Sequence, residues 1–182
     1  MSNALVILAE GFEDVEAVTS IDVLRRGGVD VVSAALGDSL EVESAHGIKM
    51  RADAFLKDAA GDEYDVVLLP GGPGTENLKK SGLVSGILRR QKDSGRLIAA
   101  ICAAPTVLVE AGVLANEHIT CYPSCRGDLD RPCAGVPVVA DGQIITGEAP
   151  GASLLFALVV LQAIAGDTVA RKVARGMVTD VL

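Results

Sequence analysis

The sequence predicts an α/β fold: a mostly parallel central sheet with helices on both faces. Three observations carry this. Nearly continuous apolar runs recur at Ala4 to Ala9, Asp65 to Leu69 and Leu97 to Ile101. Runs without alternation mark strands buried on both faces. Segments with helical spacing lie between the strands, as parallel strands require of their crossovers. Three strand ends also carry unusual residues: Glu10 to Glu13, Pro70 to Gly74, and Cys102 to Pro105. In such sheets ligands bind beyond the carboxyl ends of the strands.

Each element has a local cause. Glu13 to Arg26 places Ala17, Val18, Ile21 and Leu24 on one helical face, and Gly27-Gly28 stops it. Val29 to Ala35 is the next strand. Leu40 to Ala52 alternates weakly around His46-Gly47 and reads as a β-hairpin. After Asp65 to Leu69 comes a turn of glycine and proline. A helix follows, marked by Val84, Ile87 and Leu88 and closed by Ser94-Gly95. Pro105 suits a first helical turn because proline has no N–H to leave unpaired there, so a helix begins just after Cys102 and ends near Gly112. Ile119 to Cys121 reads as a short strand and Ser124 to Pro137 as loop. Val138 to Ala140 and Gln143 to Thr146 flank Asp141-Gly142, a hairpin turn. Leu154 to Ala165 is a core helix, and Asp167 caps a last one ending near Gly176.

Length and composition bound the function. The 182 residues suit one domain, 1–182. With 49% hydrophobic and 22% charged residues, the composition is globular rather than disordered. Sixteen Lys plus Arg against 24 Asp plus Glu leave a charge of −8. That argues against a general affinity for nucleic acid or anionic membrane, both of which need a basic face. The opening apolar run is six residues long with no basic segment before it, so neither an export signal nor a membrane span is expected. Four cysteines are few for a disulfide scaffold. The expectation is a cytoplasmic protein with free thiols.

Cys102 is the main chemical candidate. It falls between a buried strand and the start of a helix, where a sharp turn makes a nucleophile elbow. The helix N-terminus there favours thiolate over thiol. The alternative is an inert, buried core cysteine. Gly71 and Gly72 let backbone approach a substrate without a Cβ clash, and N–H groups of Gly72 and Ala103 form a candidate oxyanion hole. Taken alone, the glycines are an ordinary strand-to-helix turn. Glu13 and Asp14 complement the helix dipole. Glu16, one turn in, is a candidate acid packed against the thiol, protonated by desolvation and like charge. His46 and His118 are the only histidines, and neither completes a Cys-His-Asp triad. A peptidase or amidotransferase reading therefore lacks its base. Cys121, Cys125 and Cys133 do not have zinc-pair spacing, so no metal is expected.

These residues together resemble the ThiJ/PfpI superfamily, in the branch of the Parkinson-associated protein deglycase. The likeness runs over nearly the whole chain. It rests on Ala4 to Ala9, Glu16, Asp22 to Arg26, Tyr64 to Gly72, Leu97 to Pro105 and Pro150-Gly151. It implies a flavodoxin-like sandwich, a homodimer and no cofactor. It implies an oxidation-prone nucleophile at Cys102, a protonated acid at Glu16 and oxyanion donors at Gly72 and Ala103. It also implies a pocket including Gly71, Arg26, Tyr122, Pro150 and Gly151. The implied activity is glutathione-independent conversion of a small dicarbonyl, methylglyoxal, to lactate, or removal of early glyoxal adducts from protein. The alternative is an oxidation-regulated chaperone with client proteins, sensing through Cys102. Two departures stand out. Tyr122 occupies the place of a pocket His, and His46 that of a hairpin Arg.

Overall fold

A computed structural model describes residues 2–182. The chain runs β1 (Asn3–Leu8), α1 (Asp14–Arg26), β2 (Asp30–Ala35), then a hairpin of β3 (Glu41–Glu43) and β4 (Lys49–Arg51). It continues through β5 (Ala54–Phe55), α2 (Leu56–Ala59), β6 (Val66–Leu69), α3 (Thr75–Lys80), α4 (Gly82–Asp93) and β7 (Leu97–Ile101). It closes with α5 (Pro105–Ala111), β8 (Val138–Asp141), β9 (Ile144–Gly147), α6 (Ser153–Ala165) and α7 (Asp167–Gly176).

Seven strands form the central sheet in the order β5-β2-β1-β6-β7-β9-β8. All neighbours are parallel except β8, which returns antiparallel to β9 through the Asp141-Gly142 turn. The apolar runs are continuous because each strand feeds two cores. Along β1, Ala4, Val6 and Leu8 face one core while Leu5 and Ile7 face the other. In β7, Ala99 and Ile101 face the first, and Ile98 and Ala100 the second. Helices α1, α6 and α7 cover the first core, and α2 to α5 cover the second. Alternation of strand side chains into two buried layers explains why no polar position interrupts these strands.

Two sequence expectations need correction. Ile119 to Cys121 is not a strand; it makes one isolated bridge, from Ile119 to Cys133, because the chain turns away at Pro123 into a 3-10 turn over Pro123–Asp128. The loop predicted over Ser124 to Pro137 therefore begins with ordered helical turn. The short elements β5, α2 and α3 are two to six residues long, too short to show a repeating pattern in the sequence. No helix among the described residues is long and apolar enough to cross a membrane.

The connection leaves β1 toward β2 on one side, and β6 toward β7 on the other. The strand order therefore switches between β1 and β6, and the crevice opens at their carboxyl ends.

Candidate functional site

Cys102 follows β7 directly and has φ 64, one of two non-glycine residues among those described with positive φ. An L-residue in that region is strained and persists only when its surroundings hold it. Here both its peptide groups are held. Its N–H donates to the Gly147 carbonyl at 2.9 Å, and its carbonyl accepts the Tyr122 N–H at 2.8 Å. The elbow lifts the thiol off the end of the sheet, where it is 7% exposed.

Beneath the thiol lies Glu16, fully buried on α1. Its backbone N–H is fixed by the Glu13 side chain, which caps the helix at 2.8 Å. Glu16 Oε2 accepts the Gly71 N–H at 2.7 Å, and Oε1 has no hydrogen-bond partner. The carboxyl lies against the Cys102 sulfur. Burial pushes Glu16 up to about 7, and the neighbouring Glu13 charge adds to this, against the pull of the Gly71 N–H. A neutral Glu16 gives its orphaned oxygen a proton to donate to sulfur, which is what a buried carboxyl without a cation requires.

Burial pushes the Cys102 thiol up to about 12, and the charge of Glu16 and its hydrogen bond add to this; the N–H groups of Gly72 and Ala103 pull it only part of the way back, so against the expectation from the helix N-terminus the thiol stays protonated while Glu16 is charged. Charge on Glu16 opposes charge on the thiol, so the two titrations are coupled. With the proton on Glu16, repulsion of the thiolate disappears and the two amides remain. That is the arrangement expected for a nucleophile and its acid.

The glycines at the end of β6 are required by this closeness. A Cβ on Gly71 would meet the Cys102 Cβ at 2.7 Å and Glu16 Oε2 at 2.9 Å. Gly72 has φ +87, and a Cβ there would meet the Gly11 carbonyl oxygen at 2.6 Å.

The thiol opens into a cleft of about 550 Å³, lined among others by Gly72, Ala103, Tyr122, Cys125 and Pro150. Glu13 and His46 form part of its rim. His46 reaches there because the β3–β4 hairpin docks on the β1–α1 loop: Gly11 N–H donates to the Glu43 carbonyl and Ala45 N–H to that of Phe12, both at 2.8 Å. Asp14 accepts from Ser44 Oγ and pairs with His46 Nδ1. Partial burial opposes ionisation of Asp14, but these two bonds hold it below the usual carboxylate value. The bond to Asp14 raises His46 in return.

The structure thus brings together Cys102, Glu16, Gly71, Gly72, Ala103, Tyr122 and Pro150. Two expected pocket residues lie elsewhere. Arg26 is the last residue of α1, roughly 15 Å along the helix from Glu16 at 1.5 Å per residue. It pairs with Asp22 at 2.7 Å and lines a different groove with Gly28 and Lys172. Gly151 sits on the exposed 3-10 turn before α6, outside the cleft lining. Sequence reasoning assigned Glu13 only to the helix dipole, yet it also caps α1 and lines the cleft; its place immediately before the helix was the available signal. Thr106 and Lys79 in the lining gave no signal of their own.

A strained cysteine at the end of the strand beside the switch point of a doubly wound sheet defines the class: an α/β protein organised around a nucleophile elbow. Comparison with known proteins narrows it. The family model described as the DJ-1/PfpI family matches residues 2–163. The chain is 42% identical over 179 residues to the Drosophila melanogaster protein dj-1beta, covering 96% of both. The crystal structure of Drosophila DJ-1beta superposes with a TM-score of 0.95 at 40% identity, covering 99% of this chain and 100% of that one. The Caenorhabditis elegans glutathione-independent glyoxalase DJR-1.2 is 36% identical over 169 residues, covering 90% of this chain and 89% of its own. The chain belongs to the DJ-1/PfpI family, and its mostly parallel seven-stranded sheet is that family's flavodoxin-like fold.

Proposed function

We propose that this protein is a cysteine-dependent, glutathione-independent glyoxalase acting on methylglyoxal or similar small dicarbonyls. The observation that carries the reading is the fully buried Glu16, with one oxygen unpartnered, packed against a thiol that faces two backbone N–H groups. The similarity to DJR-1.2 supports the same reaction class.

The Cys102 thiolate attacks the aldehyde carbon, forming a C–S bond and an alkoxide. The Gly72 and Ala103 N–H groups hold that oxyanion. Glu16 protonates it to the hemithioacetal. As a carboxylate, Glu16 then takes the proton from the former aldehyde carbon, leaving an enediolate, and returns it to the adjacent carbon as the hydroxyl proton passes from the first oxygen to the second. The product is a lactoyl thioester of Cys102. Water cleaves it, releasing lactate and regenerating the thiol. The net reaction is methylglyoxal plus water to lactate, with no external oxidant. A carboxyl raised to about 7 can both give and take protons near neutral pH.

The test is lactate formed from methylglyoxal without glutathione or added metal. Wild type should produce it, Cys102→Ser should not, and Glu16→Gln should lose about 10²- to 10⁴-fold, the usual contribution of general acid–base catalysis. Full activity in Glu16→Gln with Cys102→Ser inactive would refute the proton-transfer role. No lactate from folded wild type would overturn the glyoxalase reading and favour oxidation sensing at Cys102.

A further inference from the structure

The segment after α5 carries a second thiol centre outside that reaction. Cys121 is fully buried, and its Sγ lies 3.8 Å from the Sγ of Cys133. The two are twelve positions apart, so the contact is made by the fold. The Ile119–Cys133 bridge aligns the two segments, and the Ala134 N–H donates to the Ile119 carbonyl at 2.9 Å. A disulfide bond spans about 2.05 Å, so the sulfurs must approach by a little under 2 Å. Cys133 sits on irregular chain between the 3-10 turn and β8, where side-chain rotation and small backbone shifts are inexpensive.

The two thiols are unlike. Cys133 is half-buried; burial opposes its ionisation, but the Gly135 and Cys121 N–H groups outweigh this and hold it below the ordinary thiol value. Burial pushes Cys121 up to about 12. One thiol is thus partly exposed and held below its ordinary value, while its neighbour is shielded. That asymmetry suits a cysteine that is oxidised first and a second that resolves it.

We propose that Cys121 and Cys133 form a reversible intramolecular disulfide on exposure to peroxide, a modification site separate from Cys102. The Cys133 thiolate attacks a peroxide oxygen. The O–O bond breaks, giving Cys133 sulfenic acid and hydroxide. The Cys121 sulfur then attacks the sulfenic sulfur, forming the S–S bond. Water leaves, carrying the sulfenic hydroxyl and the Cys121 proton. Two equivalents of a small thiol reverse the change. The bond ties the far loop to the segment whose Tyr122 N–H holds the Cys102 carbonyl, and so to one wall of the cleft.

The experiment treats the reduced, full-length protein with equimolar hydrogen peroxide, blocks remaining thiols by alkylation, and reads intact mass and non-reduced peptides. The expected result is loss of two alkylatable thiols and a crosslink between the fragments on either side of the Arg126 tryptic site, removed by reductant. Cys102, Cys121 and Cys125 share one of those fragments, so single serine variants identify the partner. Cys121→Ser and Cys133→Ser should each abolish the crosslink, and Cys125→Ser should leave it. A crosslink that survives Cys121→Ser, or two fully alkylatable thiols at 121 and 133 in oxidised wild type, overturns the proposal. The wild-type map needs no variant to fold.

Discussion

Replacing Glu16 by Gln tests whether the fold holds a proton at the base of the site. Glu16 is fully buried, accepts the Gly71 N–H at 2.7 Å and has no cation beside it. Gln keeps the shape: its amide oxygen accepts the same N–H, and its NH₂ faces the Cys102 sulfur. The carboxyl is raised from 4.5 to about 7. A raised acid stabilises the fold least when it is ionised. The contribution of Glu16 to wild-type stability should therefore fall as pH rises from the unfolded value of 4.5 through the folded value of about 7. At about 1.4 kcal/mol per unit, the loss is about 3 kcal/mol by pH ~8. Glutamine does not titrate, so the stability of Glu16→Gln relative to wild type should rise by that amount between pH ~4.5 and ~8. Urea unfolding under reducing conditions at several pH values, by linear extrapolation, measures it. Groups not coupled to Glu16, His46 included, are common to both proteins and cancel in the difference; Cys102, raised to about 12, titrates above this pH range. A difference that stays flat across that range would show that Glu16 ionises normally in the fold, and the argument for a shared proton would fail.

Two further substitutions probe the surroundings. Gly71→Ala should cost about 1–3 kcal/mol and slow Cys102 alkylation, because its Cβ collides with Cys102 Cβ and with backbone; Gly28→Ala, with φ +78 but open space, should cost about 1 kcal/mol and leave that rate unchanged. Denaturant melts and alkylation kinetics read both, and an unaffected alkylation rate in a folded Gly71→Ala protein would contradict the close packing. The His46 ring should titrate above 6.5 by NMR and return toward that value in Asp14→Asn, since the bond to Asp14 is the main cause of its rise. The sign follows: a raised His stabilises its contact fully below 6.5, and the effect is lost as pH rises through the folded value.

The parts of the site that were legible in the sequence share one property: their cause is local. Cys102 stands out because a buried strand and a helix-compatible Pro105 flank it within a few residues. Gly71 and Gly72 follow a strand directly, and Glu16 falls one turn into a helix whose start the neighbouring acids announce. Arg26 was placed in the pocket by the resemblance alone, and the helix carries it roughly 15 Å away from Glu16, ten positions along at 1.5 Å each. The Asp14–His46 contact spans 32 positions and the Cys121–Cys133 contact twelve; each depends on how an irregular segment docks, which no periodicity encodes. The same reasoning explains Ile119 to Cys121. Its β-branched residues favour extended backbone, but pairing needs a neighbour, and here only Cys133 supplies one bridge. What that segment does instead is anchor the nucleophile: Tyr122 N–H holds the Cys102 carbonyl at 2.8 Å, while Gly147 holds its N–H. The strained φ of the elbow is therefore maintained by two segments distant from it in sequence. A thiol at a strand end is common; the clamp from both sides is what holds this one in place for chemistry.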